Sequence, residues 1–219
     1  MSGIVGSKFN HRGSGLVGSL GTDGQHFLSS GAGKTNVFET VSASADFVLL
    51  STTTGSGTVS FDGDFSATYD NYLLIGYNGS NDGSDEDLNF RVRQADADIT
   101  ASSYYRVWNG NYGNTSSGQA RYDYAAYGAD HIKMINNWDD AATKPTQFNM
   151  WIYDPFQDDT YHYITWHATN VSPNSTLSYM NFTGSGHYYG NTTALSGLSF
   201  YETPSGDITT LELKLYGLK

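Results

Sequence analysis

Asp207-Ile208-Thr209-Thr210-Leu211-Glu212-Leu213-Lys214-Leu215-Tyr216-Gly217-Leu218-Lys219 carries a period of two with little ambiguity. Leu211, Leu213 and Leu215 fall on one side, and Glu212, Lys214 and Tyr216 on the other. That is the pattern of a strand with one buried face and one wetter face. The same period recurs upstream. Leu88, Phe90 and Val92 alternate with Asn89, Arg91 and Arg93, and Tyr161, Tyr163, Thr165 and His167 alternate with His162, Ile164 and Trp166. Phe47-Val48-Leu49-Leu50 and Tyr72-Leu73-Leu74-Ile75-Gly76-Tyr77 are apolar on both faces and read as more fully buried strands.

Further strands are expected near 58–61, 104–107, 122–127, 131–135, 147–153, 177–182 and 194–201. Residues 78–87 read as an acidic loop and 108–118 as a long polar loop. No stretch shows a convincing amphipathic helix. About ten short strands separated by turn signals predict an all-β fold, a β-sandwich or jelly roll. Strands apolar on both faces beside half-polar ones fit two packed sheets. No repeat of 20–50 residues suggests a propeller or solenoid.

Composition agrees. The 219 residues include 17 Tyr and 25 Gly, and aromatic residues suit pleated surfaces while Gly suits turns. The length suggests one domain, or one domain with an arm. Cys is absent, so disulfides and thiolate metal sites are excluded. The net charge of −11, without clustered Lys and Arg, argues against nucleic acid and anionic membrane surfaces as partners. No apolar run approaches the roughly 20 residues that span a bilayer, and no Sec leader is expected.

Residues 1–36 differ from the rest. Nine glycines punctuate isolated apolar residues that are too sparse to form a core. The segment reads as an extended Gly-rich N-terminal arm, either disordered or laid against a partner, with its regularly placed apolar residues favouring the partner, followed by the β-domain at 37–219. Ile4, Val5, Phe9, Arg12, Leu16, Val17 and Leu20 are its candidate anchoring residues. Each apolar one stabilises by ~1.5–3 kcal/mol if buried.

Several chemistries are suggested and then fail. Gly31-Ala32-Gly33-Lys34-Thr35 ends like a phosphate-binding loop, but Leu28 stands where the first Gly of that motif belongs. His162 and His167 sit five apart on a strand, hence on opposite faces, so they do not chelate one metal together. Asn81, Asp82, Asp85 and Asp87 supply oxygen donors for a loop calcium, without the regular spacing of a calcium loop. Otherwise no cofactor is expected. Acidic pairs at Asp139-Asp140 and Asp158-Asp159 fall in loops, and nothing identifies the paired carboxylates of a glycosidase. A non-enzymatic module is the expectation. The positive signal is aromatic: Trp108, Tyr112 and Trp138 stand among Asn, Gly and Asp, where exposed rings would suit a sugar's apolar face. Rings that cap the sandwich or a subunit contact are the competing reading.

Two stretches resemble virion structural proteins of tailed bacteriophages. Gly21-Thr22-Asp23-Gly24-Gln25-His26-Phe27-Leu28-Ser29-Ser30-Gly31-Ala32-Gly33 is similar to a segment of tail-fibre proteins. Ser205-Gly206-Asp207-Ile208 with Leu215-Tyr216-Gly217-Leu218 resembles the closing strand of their β-sandwich domains. Phe65-Ser66-Ala67-Thr68-Tyr69-Asp70-Asn71-Tyr72-Leu73 and Trp151-Ile152-Tyr153-Asp154-Pro155 agree in order along the chain. The resemblance implies a virion location, attachment to other virion proteins through the arm, a homotrimer and an outward β-domain able to meet a host-surface glycan. The chain lacks the repetitive shaft of long fibres, which leaves tail fibre, head fibre and capsid decoration open.

Overall fold

The computed structural model describes residues 25–28, 37–40, 46–82, 86–114, 118–138, 146–172, 178–203 and 206–218. The chain divides into two units, residues 1–45 and 46–219. In the first, β1 (Gln25–Leu28) pairs antiparallel with β2 (Val37–Thr40), with Phe27 opposite Phe38. The candidate anchoring residues Ile4, Val5, Phe9, Arg12, Leu16, Val17 and Leu20 lie outside the described residues.

The second unit is all-β among its described residues. Its strands are β3 (Phe47–Gly57), β4 (Val59–Asp62), β5 (Asn71–Asn81), β6 (Glu86–Gln94), β7 (Ala97–Asp98), β8 (Tyr104–Asn114), β9 (Gly118–Ala129), β10 (Ile132–Trp138), β11 (Thr146–Tyr153), β12 (His162–Ser172), β13 (Ser178–Tyr188), β14 (Gly197–Thr203) and β15 (Ile208–Leu218). All pairings are antiparallel.

Two sheets result. One runs β3-β15-β5-β11-β12-β13-β8-β9, and the other β10-β6-β14-β4 with β7 beside β6. Eight strands make the frame, β3, β4, β5, β6, β10, β11, β14 and β15 in chain order, and the chain changes sheet at every step except from β6 to β10, which pair with each other. Their orders, β3-β15-β5-β11 and β4-β14-β6-β10, are those of a jelly roll with its two Greek keys. Two excursions leave this frame, β8–β9 between β6 and β10, and β12–β13 between β11 and β14. They meet where β13 pairs β8, and together they widen the first sheet from four strands to eight.

Alternation explains the core. Leu211, Leu213 and Leu215 of β15 are buried, while Glu212, Lys214 and Tyr216 are half-exposed, as the period predicts. On β12, His162, Ile164 and Trp166 are buried and Tyr163 and His167 exposed. Aromatic rings join the sheets. Phe90 meets Trp166 edge-on at 5.9 Å, and Phe200 lies 5.9 Å from Phe90 and 5.5 Å from Phe148. Glycines seat two of these rings. A Cβ at Gly76 would lie 2.2 Å from the Phe148 ring, and one at Gly184 would lie 2.2 Å from Trp166. Such glycines in strand interiors mark close approach.

The strands are longer than their sequence signals. The expected loop at 108–118 is instead the second half of β8, which runs to Asn114, and the start of β9. The Asn- and Gly-rich composition suggested a loop, yet Gly110 is needed in the strand to seat the Phe182 ring, 2.8 Å from where its Cβ would be. The expected loop at 78–87 likewise gives way to strand at both ends: β5 continues to Asn81, and Glu86 and Asp87 open β6.

The glycine seats yield a stability prediction. Gly184→Ala adds a methyl group against Trp166 and Trp108 and is expected to cost about 1–3 kcal/mol. Thermal unfolding should show a Tm drop of roughly 2–4 °C per kcal/mol for a chain of this size. Gly113→Ala, with nothing within 4 Å of the added Cβ, should leave Tm unchanged.

Candidate functional site

The three aromatic residues singled out from sequence do not form a site. Trp138 is 0% exposed, on β10, and its ring would lie 2.9 Å from a Cβ at Gly79. Trp108 is 5% exposed and inward-facing on β8, stacked on Tyr124 at 5.6 Å and edge-on to Phe182 at 5.5 Å. Tyr112 shares that inward face and packs against the core. The assignment to loops misplaced all three. On strands, residues 108 and 112 take the same face as buried Tyr104.

The outer face of the eight-stranded sheet is built differently. Continuous register across its strands aligns side chains in rungs. One rung sets Tyr153, Tyr163, His187, Tyr105 and Tyr127 side by side on β11, β12, β13, β8 and β9. The next aligns Trp151, Thr165, Ser185, Val107 and Ala125. The third aligns Asn149, His167, Thr183, Asn109 and Asp123. Ring contacts order the first rung. Tyr163 and Tyr105 lie 5.2 and 5.5 Å from the His187 ring, and Tyr127 stacks on Tyr189 at 4.9 Å with 7° between planes. Burial holds the His187 imidazole below its usual pKa.

A groove of about 980 Å³ lies over the second and third rungs. Small side chains, Thr165 on β12, Thr183 and Ser185 on β13 and Ala125 on β9, make its floor low, and Trp151 stands at one end. Five strands at about 4.8 Å spacing make it about 19 Å long. Its polar groups are partly spent. His167 Nε2 meets Asn181 Nδ2 at 3.0 Å, Tyr153 Oη meets Thr165 Oγ1 at 3.2 Å, and Arg121 Nε donates to Asp123 Oδ1 at 2.9 Å. The Asn109 and Asn149 amides and the Thr183 and Ser185 hydroxyls make no side-chain hydrogen bond among the described residues, so both donors and acceptors face the groove unspent. Trp151 had a legible signal. Phe148, Met150 and Ile152 alternate as the inward set of β11, which turns Asn149, Trp151 and Tyr153 outward.

A second polar cluster sits where the chain after β5 meets the chain before β15. Asp82 N donates to Asp207 O at 3.2 Å, and Asp207 N donates to Asp82 Oδ1 at 2.9 Å. Behind them Glu202 is 7% exposed, and neither carboxylate oxygen has a well-formed hydrogen bond. Burial, then the neighbouring charges of Asp82, Glu86 and Asp207, push its pKa up to about 8. Gly206 lets the backbone cross this group, since a Cβ there would lie 2.4 Å from Glu202 Oε2. Of the oxygen donors considered for calcium, Asn81 Nδ2 is engaged with the Trp138 carbonyl at 3.1 Å, and Asp85 lies outside the described residues. Among the described residues no three His, Cys, Asp or Glu side chains are placed to hold a metal ion. His162 and His167 do face opposite sides of the sheet. The buried His162 lies 2.9 Å from the Thr193 carbonyl through Nε2, and burial holds its pKa below the usual value.

No family model matches the chain, and no curated protein or solved structure matches it either.

Glu202 supplies a pH prediction. Its folded pKa is raised, so the folded form holds the proton that the unfolded form releases above its ordinary value of 4.5. Its contribution to stability is present below that value and is lost as pH rises through about 8. Denaturant unfolding of wild type and Glu202→Gln should agree near pH 4. The variant should become progressively more stable than wild type as pH rises from there through about 8.

Proposed function

We propose that this chain is an appendage or decoration protein of a tailed-phage particle, with a jelly roll that binds a host-surface saccharide in the outer-face groove. The phage assignment rests on the motifs at residues 21–33 and 205–218 and their order along the chain. Residues 1–36 serve as the arm that joins other virion proteins, and the β-domain projects away from them. The binding role rests on one observation, the groove with Trp151 at its end and unspent amides and hydroxyls along it. A pyranose has an apolar face that suits an indole, and a rim of hydroxyls that suits groups able both to donate and to accept.

The groove's charge supports a neutral ligand. Arg121 and Asp123 are the Arg and the Asp of its lining among the described residues, and they pair with each other. Among the described residues Asp123 is the one carboxylate in the lining, whereas most glycoside hydrolases use two. Binding without cleavage is therefore the function proposed.

Two measurements test this reading. On a panel of bacterial surface polysaccharides, wild type should bind a subset. Trp151→Ala should lose at least about tenfold in affinity, or 1.4 kcal/mol. Tyr179→Ala, an exposed ring away from the groove, should bind as wild type does. Unchanged binding by Trp151→Ala rejects the groove. Separately, deletion of residues 1–30 should leave a folded β-domain that no longer joins particles, and normal incorporation of the truncated chain would sink the anchoring role.

A further inference from the structure

β9 ends the eight-stranded sheet, so one of its backbone edges has no strand beside it among the described residues. At 12 residues it is also the longest strand. Long free edges template pairing with another chain, and proteins usually blunt them with brevity, proline or like charges. β9 has none of these. It contains no Pro, and its only charges are one Arg and one Asp. The other edges differ. On β3, Ser51 Oγ donates to Asp64 Oδ2 at 3.0 Å, in the segment after β4, and the edge strands of the second sheet are short.

The middle of β9 is exposed on both faces. Arg121 and Asp123, on the outer face, have side chains 67% and 65% exposed. Tyr122 and Tyr124, on the inner face, are 50% and 41% exposed. Strand β10 packs beneath β12, β13 and β8, and β9 projects past that cover. Tyr124 is tied from one side alone, by the Trp108 ring and by the Arg106 guanidinium 5.3 Å above it.

The charges make this edge complementary to itself. We propose that two copies of this chain join through β9, antiparallel, about a dyad at Tyr122, so that the two large sheets become one. Directly opposed residues of antiparallel strands share a face, with Cβ atoms about 4.5–5.5 Å apart. A dyad at Tyr122 sets Arg121 of each copy opposite Asp123 of the other, so the Arg121–Asp123 pair within each copy extends into two equivalent ion pairs across the dyad. A dyad at Asp123 would oppose two carboxylates, and one at Arg121 two guanidiniums. Charge therefore selects one register, and the contact closes as a pair, in place of the homotrimer that the phage resemblance implies. The exposed faces of Tyr122 meet across the dyad, on the side away from the groove.

Sedimentation or light scattering of the full chain over a concentration series tests this. Wild type should show a dimer. Arg121→Asp and Asp123→Arg should each weaken it at least tenfold, because each opposes like charges. The double variant R121D/D123R should recover it, because it restores opposite charges at both positions. Both side chains are exposed, so the fold should survive, as circular dichroism would check. Three results would overturn the proposal: a monomer up to the solubility limit, an assembly of any size indifferent to both single substitutions, or a double variant that stays dissociated. Saccharide binding by Trp151→Ala is a separate readout, so failure here leaves the groove standing.

Discussion

Phe148 and Trp166 on one sheet meet Phe200 and Phe90 on the other, and the rest of the sandwich is arranged around that contact. Rings this large fit between pleated sheets only where neighbouring strands offer no side chain. Gly76 and Gly184 supply those gaps. They also bind the additions to the frame, because Gly184 belongs to the β12–β13 excursion and seats Trp166 of the same hairpin. The Trp166 indole then donates to the Met134 carbonyl of β10 at 3.2 Å, which fixes the second sheet beneath the widened first one. The broad outer face, and the groove on it, follow from an aromatic core that could be built this far sideways.

The all-β class and the inward faces were legible because alternation is a local signal. Leu211, Leu213 and Leu215 needed no knowledge of their neighbours, and neither did Ile164 and Trp166. Jelly-roll order was not legible beyond the fold class, since pairing β15 between β3 and β5 depends on residues far apart in sequence. Strand lengths were misjudged where Asn and Gly dominate. Those residues usually mark turns, but on β8 they sit in a wide sheet with one solvated face. The aromatic site was misread for the same reason. Placing Trp108 in a loop hid its alternation with Tyr104, and so its burial. Trp151 was readable from β11, but the groove was not, because its lining comes from five strands whose adjacency no local pattern encodes.

Charge is distributed in keeping with this division of faces. The chain carries −11 overall, yet the groove is close to neutral and its Arg and Asp are paired. Acidity gathers instead at the crossing of Asp82, Glu86, Glu202 and Asp207, where a buried carboxyl sits among like charges. Arg91 shows the opposite solution. Its guanidinium lies 4.4 Å over the Tyr201 ring and bonds Asp130 at 2.8 Å, so a half-buried cation is fully engaged. The molecule concentrates its electrostatic tension at one end of the sandwich and leaves the broad face free of it.

β15 lies between β3 and β5, though it follows both by more than a hundred residues in the chain. During synthesis the first sheet therefore has a gap between β3, at its edge, and β5 until residues 208–218 leave the ribosome. Before then β3 has no partner in that sheet, while the β8–β9 and β12–β13 hairpins can close on contacts close in sequence. Long-range pairing of this kind folds slowly. Translation order thus makes the excursions early structures and the jelly-roll frame a late one, and the nascent chain carries an unpaired β3 until β15 has been made.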